Sequence, residues 1–237
     1  MSASADTPAP TKNRLLAMLP REEYERILPR LEHVSFKFGE VVYESGGRMS
    51  YIYFPTDAIV SLLYLMENGA SAEMGMAGNE GLVGIALFMG GGSVPNRAVV
   101  QSPGGAFRMK AKVLQEEFAR GGAFQRLLLR YTQALITHMS QTAVCNRLHS
   151  IEQQLCRWLL LSHDRLDSDV LVMTQELIAN MLGVRREGVT AAAGRLQEQG
   201  IISYVRGRIQ ILDRAGLEAA VCECYKVVKD EYDRLLG

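Results

Sequence analysis

The sequence predicts an α+β protein with an N-terminal β-roll of the jelly-roll type, a long helix and a C-terminal winged helix. Three observations predict this order. Short β-rich runs separated by Gly, Pro, Asn and Asp fill residues 34–109, and apolar residues recur at helical spacing over 124–147. Two short helical patterns and a hairpin pattern occupy 174–212. We expect four segments: a disordered lead at 1–12, the β-roll at 13–120, the long helix at 121–147 and the winged helix at 148–237.

Composition and charge exclude several classes of protein. The chain has 237 residues with 26 basic and 26 acidic side chains, and this zero net charge excludes a histone-like binder of any polyanion. The four cysteines form no extracellular framework, and the N-terminus carries no signal sequence. The longest apolar stretch, 81–92, is too short and too rich in glycine to cross a bilayer. We expect a cytoplasmic protein with reduced thiols and no membrane partner.

The β-roll is predicted from many short runs with turn signals between them, a pattern typical of sandwiches, barrels and jelly-rolls. Residues 13–32, which precede it, read as a pair of short helices. The predicted strands are Val41–Tyr43, Tyr51–Phe54, Ile59–Leu65, Ala98–Gln101 and Ala106–Met109.

The long helix is predicted from a heptad-like stripe that begins after a short helix at 113–118 and the breaking pair Gly121-Gly122. Such a helix can cover the β-roll with one side and meet a second copy with the other. The alternative is a purely intramolecular core helix. We favour a homodimer, because two-fold symmetric operators are usually read by symmetric dimers. The stripe consists of Phe124, Leu128, Tyr131, Leu135, His138, Thr142 and Cys145.

Residues 174–200 read as a helix-turn-helix. Thr174 is predicted to be an N-cap residue, because its hydroxyl can accept a backbone N–H at a helix start. Apolar residues follow at Ile178, Met181 and Leu182 on one face, and Gly183 stands where the chain must turn. Two helices around a glycine also occur in many all-α domains that do not bind DNA. The motif therefore needs support from its neighbours.

That support comes from a hairpin pattern directly after the second helix. The β-rich runs 201–203 and 208–212 flank a predicted tip at Arg206-Gly207, which together with the preceding helices describes a winged helix. From 184 to 214 there are six arginines and three acids. The residues expected to contact DNA are Thr174, Gln175, Arg185, Arg186, Glu187, Thr190, Arg206 and Arg208.

A β-roll, a long helix and a C-terminal winged helix in this order resemble the Crp/Fnr superfamily of bacterial transcription regulators. The resemblance covers the chain from about residue 13 onward, and its most specific part is GVRREGVT at 183–190, similar to the family pattern G-x-S-R-E-T-V-x-R. The match implies that Arg186 and Glu187 read bases, since Arg suits guanine and Glu accepts from cytosine. It places Thr190 at a position that can contact a base or a methyl group. It also implies a homodimer on double-stranded DNA, with RNA polymerase as a further partner.

Three residues depart from this pattern. Arg185 stands where the family often has a capping Ser or Thr, so the recognition helix loses its side-chain acceptor. Gly188 replaces the usual Thr at a cost of up to ~1 kcal/mol in helix propensity. Ala191 replaces a second base-reading arginine. We therefore expect a half-site that differs from the family's usual one.

The resemblance places an effector pocket at Gly84, Ile85, Leu87, Arg97 and Ala98 of a sensor β-roll. Cyclic-nucleotide-binding members use a Glu for the ribose and an Arg for the cyclic phosphate. Here Ile85 stands at the Glu position and cannot accept a hydrogen bond, so cyclic nucleotide binding is disfavoured and no cofactor is expected. Glu80, four residues before Gly84, is the alternative acceptor for the ribose, but it is interpreted as a surface residue. The regulator is gated by an unidentified effector at the β-roll or acts without one.

No metal site and no catalytic residue is predicted. Iron–sulfur members need clustered N-terminal cysteines, and residues 1–144 contain none. Cys222 and Cys224 are placed in one C-terminal helix, 216–236, where residues two apart point in different directions. Thiol sensing through Cys145 or Cys156 stays open. A cupin-like enzyme is disfavoured because 34–109 has no histidine. The alternative function is a small-molecule-binding or partner-docking β-roll protein with a vestigial DNA module.

Overall fold

The computed structural model describes residues 9–237 and divides the chain into two compact units. The first unit holds the chain up to Leu62 together with Met76–Gln133. The second holds Leu63–Gly75 together with Ala134–Leu235. Residues 1–8 of the predicted disordered lead lie outside the described residues. The rest of that lead is ordered, because Pro10–Lys12 forms a turn of 3-10 helix.

The first unit is the predicted β-roll, built from two antiparallel sheets. One sheet has the strand order β1-β7-β3 and the other β2-β6-β4-β5. The five predicted strands are confirmed to within one or two residues at each end. The strands β1 and β5 are additional and were not among those predicted. The strands are β1 Glu32–Phe36, β2 Val41–Tyr43, β3 Tyr51–Pro55, β4 Ile59–Leu65, β5 Ser71–Ala77, β6 Arg97–Ser102 and β7 Gly104–Lys110.

The core of the β-roll follows the two-residue period of its strands. In β3, Ile52 and Phe54 are fully buried, while Tyr51 and Tyr53, which alternate with them, stay partly exposed on the other face. The first residue of β7 is Gly104, where no side chain fits, because a Cβ there would lie 2.7 Å from the backbone nitrogen of Ala58. The absence of a side chain thus lets the chain after β3 approach the start of β7.

Short helices close the first unit. Asn13 caps the first of them by accepting the backbone N–H of Leu16. Its side-chain amide donates to the carbonyls of Pro55 and Gly81, both at 2.8 Å, so the fully buried Asn13 joins the N-terminal segment to the β-roll. The helices are α1 Arg14–Ala17, α2 Arg21–Ile27, α3 Ala86–Met89 and α4 Ala111–Ala119.

The long helix, α5 Gly122–Leu148, confirms the predicted helix and contributes residues to both units. Gly121 precedes the helix and Gly122 is its first residue, and their φ values of 77° and 85° suit glycine. Every residue of the heptad-like stripe is at most 4% exposed, so this stripe packs inside the chain itself. A different face of α5 carries the exposed apolar side chains Leu129, Ile136 and Val144.

The second unit contains the predicted winged helix. Its three short strands form one antiparallel sheet in the order β8-β10-β9, and β8 was not predicted. Trp158, the one tryptophan of the sequence, is 2% exposed and lies in the core. The elements are α6 Ile151–His163, β8 Val170–Val172, α7 Gln175–Leu182, α8 Arg186–Glu198, β9 Ile202–Val205, β10 Arg208–Ile211, α9 Arg214–Ala220 and α10 Cys224–Leu236.

The C-terminal region differs from the single solvated helix predicted for 216–236. The helix is interrupted after Ala220, because Val221 has the extended conformation φ −78°, ψ 155°, and α10 starts only at Cys224. One face of α10 is buried through Tyr225, Val228 and Tyr232. The premise that Cys222 and Cys224 share one helix and point apart is therefore wrong.

Among residues 9–237, no helix combines the length and the apolarity that a membrane span requires.

Candidate nucleic-acid interface

The helix-turn-helix forms as its local sequence predicts. Thr174 precedes α7 with extended backbone, and its hydroxyl accepts the N–H of Leu177 at 3.3 Å. Gly183 ends α7 in the left-handed conformation with φ 67°. The N–H of Val184 then donates to the carbonyl of Ala179 at 3.0 Å, which closes the turn before α8.

The inward faces of α7 and α8 are those that the helical spacing predicts. Ala179, a small residue on α7, is 4% exposed and also lies on the buried side. Because these faces are committed to the core, the side chains at the start of α8 are left on the outer surface. The buried residues are Ile178, Met181 and Leu182 on α7 and Val189, Ala192, Ala193 and Leu196 on α8.

The N-terminal end of α8 exposes polar groups suited to DNA. Arg185 is the N-cap residue and makes no side-chain capping hydrogen bond, as expected from the loss of the usual Ser or Thr. Arg186 and Glu187 occupy the first turn and are exposed. The unpaired N–H groups and the positive end of the helix dipole add to this surface. Such an end can bind phosphate through its backbone and bases through its side chains.

Two of the predicted DNA residues bind each other. The hydroxyl of Thr190 has two acceptors within reach, Oε1 of Gln175 at 2.7 Å and the carbonyl oxygen of Arg186 at 3.0 Å. Gln175 is half-buried, whereas Thr190 is exposed. Gln175 therefore links the start of α7 to the outer face of α8.

The departure from the family pattern at Gly188 has a packing explanation. A Cβ at this position would lie 2.6 Å from Cδ1 of Ile151, the first residue of α6. The missing side chain allows α8 to lie close against α6. An ion pair between Arg195 and Glu152 joins the same two helices on their exposed side.

The wing is a tight hairpin whose tip is the predicted Arg206-Gly207 pair. β9 extends two residues further than expected, so the loop contains only these two residues, and Arg208 pairs with Val205 across it. Their φ values, 49° and 75°, are both positive, as a type I′ turn requires. An arginine in this conformation is uncommon, because its Cβ crowds the backbone.

Tyr204 fixes the wing to the rest of the unit. Its hydroxyl donates to the carbonyl of Met173 at 2.7 Å, and its backbone N–H donates to Oε1 of Gln197 in α8. Burial raises the pKa of Tyr204 to about 12, with an opposing contribution from Arg186. The phenol therefore stays protonated and acts as a hydrogen-bond donor at neutral pH.

The six arginines between 184 and 214 fall into two groups. Arg195 is bound to Glu152, and Arg214 is bound to Asp164 and Glu218. In the described part of the chain the other four have no carboxylate within ion-pair distance and are exposed. These unpaired cations are Arg185, Arg186, Arg206 and Arg208.

The residues predicted to form an effector pocket are mostly committed to the structure of the β-roll. Leu87 and Ala98 are buried in its core, and Gly84 adopts φ 114° against the backbone of Ile52 in β3. Ile85 is half-buried just before α3. These four positions offer no side-chain acceptor for a ribose.

Arg97 is held by a carboxylate rather than left free. Its Nη2 lies 3.1 Å from Oε1 of Glu44, so the guanidinium forms an ion pair within the protein. A cavity of about 190 Å³ beside Glu44 is lined by residues 42–44, 47–51 and 53, without Arg97. It is smaller than typical small-molecule sites of about 300–1,000 Å³. Glu80, interpreted as a surface residue, is in fact buried and accepts the N–H of Gly78.

Comparison with known proteins agrees with this architecture. Residues 153–220 match the family model of the Crp-like helix-turn-helix domain. A transcriptional regulator of the Crp/Fnr family from Eubacterium rectale ATCC 33656 has a similar structure, with a TM-score of 0.69 at 16% identity, covering 89% of this chain and 98% of that chain. No match was found among curated protein sequences.

Two further solved structures are similar. FixK2 from Bradyrhizobium japonicum has a TM-score of 0.67 at 18% identity, covering 81% of this chain and 98% of its own. CLP from Xanthomonas campestris, a c-di-GMP-responsive global regulator, has a TM-score of 0.63 at 14% identity, covering 81% and 99%. Structural similarity at these sequence identities shows the fold alone. The match to the family model shows, in addition, that the chain contains the helix-turn-helix domain. The resemblance predicted from the sequence is thus confirmed: this chain has the Crp/Fnr fold and carries a Crp-like helix-turn-helix domain at residues 153–220.

Proposed function

We propose that this chain is a homodimeric, sequence-specific DNA-binding transcription regulator that places α8 in the major groove. The observation that carries the proposal is the surface formed by the start of α8 and the wing tip. It presents four exposed, unpaired arginines on a chain whose net charge is zero. Arg186 and Glu187 stand at the positions of this surface that reach base edges, while Arg185, Arg206 and Arg208 reach phosphates.

The homodimer is supported by the outer face of α5. Leu129, Ile136 and Val144 are 47%, 54% and 45% exposed and lie seven and eight residues apart, so they share one side of the helix. Large apolar side chains in a row along a helix favour burial against a partner. We assign a second copy of α5 as that partner, because a symmetric dimer would present two α8 helices to the two halves of a palindrome.

We propose that the regulatory input acts at the hairpin tip of residues 63–75, which belongs to the second unit. A Cβ at Gly183 would lie 3.3 Å from Cβ of Ala72, so this tip contacts the turn from which α8 begins. A cavity of about 900 Å³ opens beside it, lined mainly by apolar side chains such as Met66, Met74 and Met139. Movement of the tip would shift α8 and change the affinity for DNA. A bulkier Ala72→Leu should change operator affinity without altering sequence preference. An unchanged operator affinity would show that this tip does not carry the regulatory input.

The function is tested by selecting bound sequences from a random DNA library with the full chain. The expected product is a palindromic site. Arg186→Ala and Glu187→Ala should each weaken binding to it by ~1–3 kcal/mol and relax one base position per half-site. Transcription from a promoter that carries the site then measures whether the bound chain recruits or blocks RNA polymerase.

Arg195→Ala is the matched control, because Arg195 lies on the same helix but binds Glu152. It should leave the selected sequence unchanged. A chain that selects no sequence, or two α8 variants that weaken all DNA sequences equally, would contradict base reading by α8.

A further inference from the structure

Four metal-ligating side chains meet at the end of α5, away from the predicted interface. Cys145 and His149 are four residues apart and lie on the same side of the helix, since the N–H of His149 still donates to the carbonyl of Cys145 at 3.0 Å. Cys222 and Cys224 come from the break between α9 and α10. All four ligand atoms lie within 4.8 Å of one another.

The break after Ala220 is what brings the two C-terminal sulfurs together. Val221 is extended, and the first turn of α10 forms only beyond it, so Cys222 and Cys224 both reach toward α5. In a continuous helix, residues two apart would point about 200° apart. Cys145, Cys222 and Cys224 are each at most 4% exposed, and Val221 packs against them.

The distances fit one tetrahedral ion. Zinc binds sulfur at about 2.3 Å and nitrogen at about 2.0 Å, so the edges of its coordination tetrahedron are about 3.8 Å between two sulfurs and about 3.5 Å between sulfur and nitrogen. Here Sγ of Cys145 lies 3.6 Å from Sγ of Cys222, and Sγ of Cys224 lies 3.5 Å from Nδ1 of His149. A disulfide would need about 2.05 Å between sulfurs, and all four cysteines of the described chain are free thiols.

The group around His149 also fits a metal site. Nε2 of His149 lies 3.3 Å from a carboxylate oxygen of Glu223, which leaves Nδ1 to face the sulfurs. A metal-bound histidine commonly donates its other ring N–H to a carboxylate in this way, because that contact fixes the ring and raises its basicity.

The three sulfurs of the cluster are buried side by side, so their thiolates need a compensating cation. A divalent ion would stabilise all three thiolates together.

We propose that Cys145, His149, Cys222 and Cys224 bind one zinc ion in a closed structural site that fastens the start of α10 to the end of α5. Three thiolates and one imidazole are soft ligands that select zinc over magnesium or calcium. Four protein ligands leave no open position, so the ion holds the fold and does not catalyse a reaction. The site is independent of the proposed DNA reading, since none of its ligands belongs to that surface.

The test measures metal in the full-length chain purified with a thiol reductant. Elemental analysis should find zinc at a ratio of about one per chain. Replacement by Co²⁺ should give the intense visible and thiolate charge-transfer bands of a tetrahedral sulfur-rich site. Removal of zinc by a chelator should lower the melting temperature of the wild-type chain, and added Zn²⁺ should restore it. No bound zinc, or a Co²⁺ spectrum of octahedral type, would overturn the proposal.

Variants then assign the ligands. Cys222→Ser and Cys224→Ser should lose the zinc, and His149→Cys should retain it as a four-cysteine site. Glu223→Gln should weaken zinc affinity by about 10-fold, since it removes only the contact to the ligand histidine. Cys156→Ser is the matched control, because Cys156 is buried nearby but outside the cluster. Zinc retained by Cys222→Ser, or lost by Cys156→Ser, would contradict the assignment, as would a Cys145–Cys222 disulfide in the reduced chain.

Discussion

A Cβ at Gly188 would lie 2.6 Å from Cδ1 of Ile151, whereas a Cβ at Gly194, six residues further along α8, would meet no atom within 4 Å. Both glycines lower helix propensity, so this contact with Ile151 distinguishes them. The first glycine permits close packing of α8 on α6. The second has no such contact.

We expect Gly194→Ala to raise the free energy of unfolding by about 0.5–1 kcal/mol, because alanine loses less backbone entropy in a helix. Gly188→Ala should raise the free energy of unfolding by less than this amount, since Ile151 must move to admit the new methyl group. Urea denaturation of the two variants measures both values. Equal stabilisation by the two substitutions would show that α6 does not restrict α8.

Arg206 combines a strained backbone with an exposed charge. Arg206→Asn should raise stability by about 1 kcal/mol, because Asn-Gly suits the two positive φ values of the wing tip. The same change should weaken DNA binding to a similar extent on every sequence and reduce its salt slope by about one, as the loss of a phosphate contact does. Thermal unfolding and salt titrations of DNA binding measure the two effects. Unchanged affinity would show that the wing tip does not touch DNA.

Ile136 is the most exposed of the three apolar residues on the outer face of α5. Ile136→Glu should convert the proposed dimer into a folded monomer, because two carboxylates would oppose each other near the symmetry axis. Sedimentation velocity gives the mass, and circular dichroism shows whether the monomer is folded. Leu65→Glu is the control, since Leu65 is equally exposed but lies off this helix. A dimer that survives Ile136→Glu must use another surface.

His138 should make stability depend on pH. Burial, with Arg165 and Arg157 nearby, holds its folded-state pKa well below the unfolded value. The folded chain therefore binds fewer protons, so stability is full above the unfolded pKa of about 6.5 and falls below it by up to about 1.4 kcal/mol per pH unit. His138→Gln should remove this contribution. Urea denaturation of both chains between pH 5 and 7.5 isolates it, and parallel pH profiles would contradict it.

Cyclic nucleotide should not act on the wild-type chain. Ile85 offers no acceptor to a ribose, and Glu44 already pairs with Arg97. We expect no heat of binding for cyclic AMP in calorimetry and no change in operator affinity. The double variant Ile85→Glu, Glu44→Gln, which frees Arg97, should gain weak binding, whereas Ile85→Glu alone should not. Binding of cyclic AMP by the wild-type chain would refute this account of the pocket.

Local signals made the helix-turn-helix predictable. The signals are the cap at Thr174, the left-handed Gly183 and the apolar spacing between them. Each acts within a few residues, so it can be recognised in the local sequence. The two-residue wing tip was also predictable from Arg206-Gly207. The close packing at Gly188 was not, because Ile151 lies far from it along the chain.

Two parts of the structure depend on contacts that periodicity does not specify. The stripe on α5 correctly predicts a buried face, but the spacing cannot say whether the same chain or a second copy covers it. The break at Val221 has no glycine or proline to mark it. For that reason the sequence pattern predicts one helix that contains Cys222 and Cys224, and it does not predict that they meet Cys145 and His149.

The division of the arginines into paired and unpaired groups has a consequence for how the chain finds its target. Because Arg195 and Arg214 are neutralised within the protein, the proposed attraction for the DNA backbone comes from Arg185, Arg186, Arg206 and Arg208. The formal net charge of the chain is zero, so the rest of the chain carries a net negative charge, which repels DNA. Few counterions are released on random sequence, so encounters there are short and easily ended by salt. Residence at a site is then governed by base contacts, which gives a slow search but a high ratio of specific to non-specific occupancy.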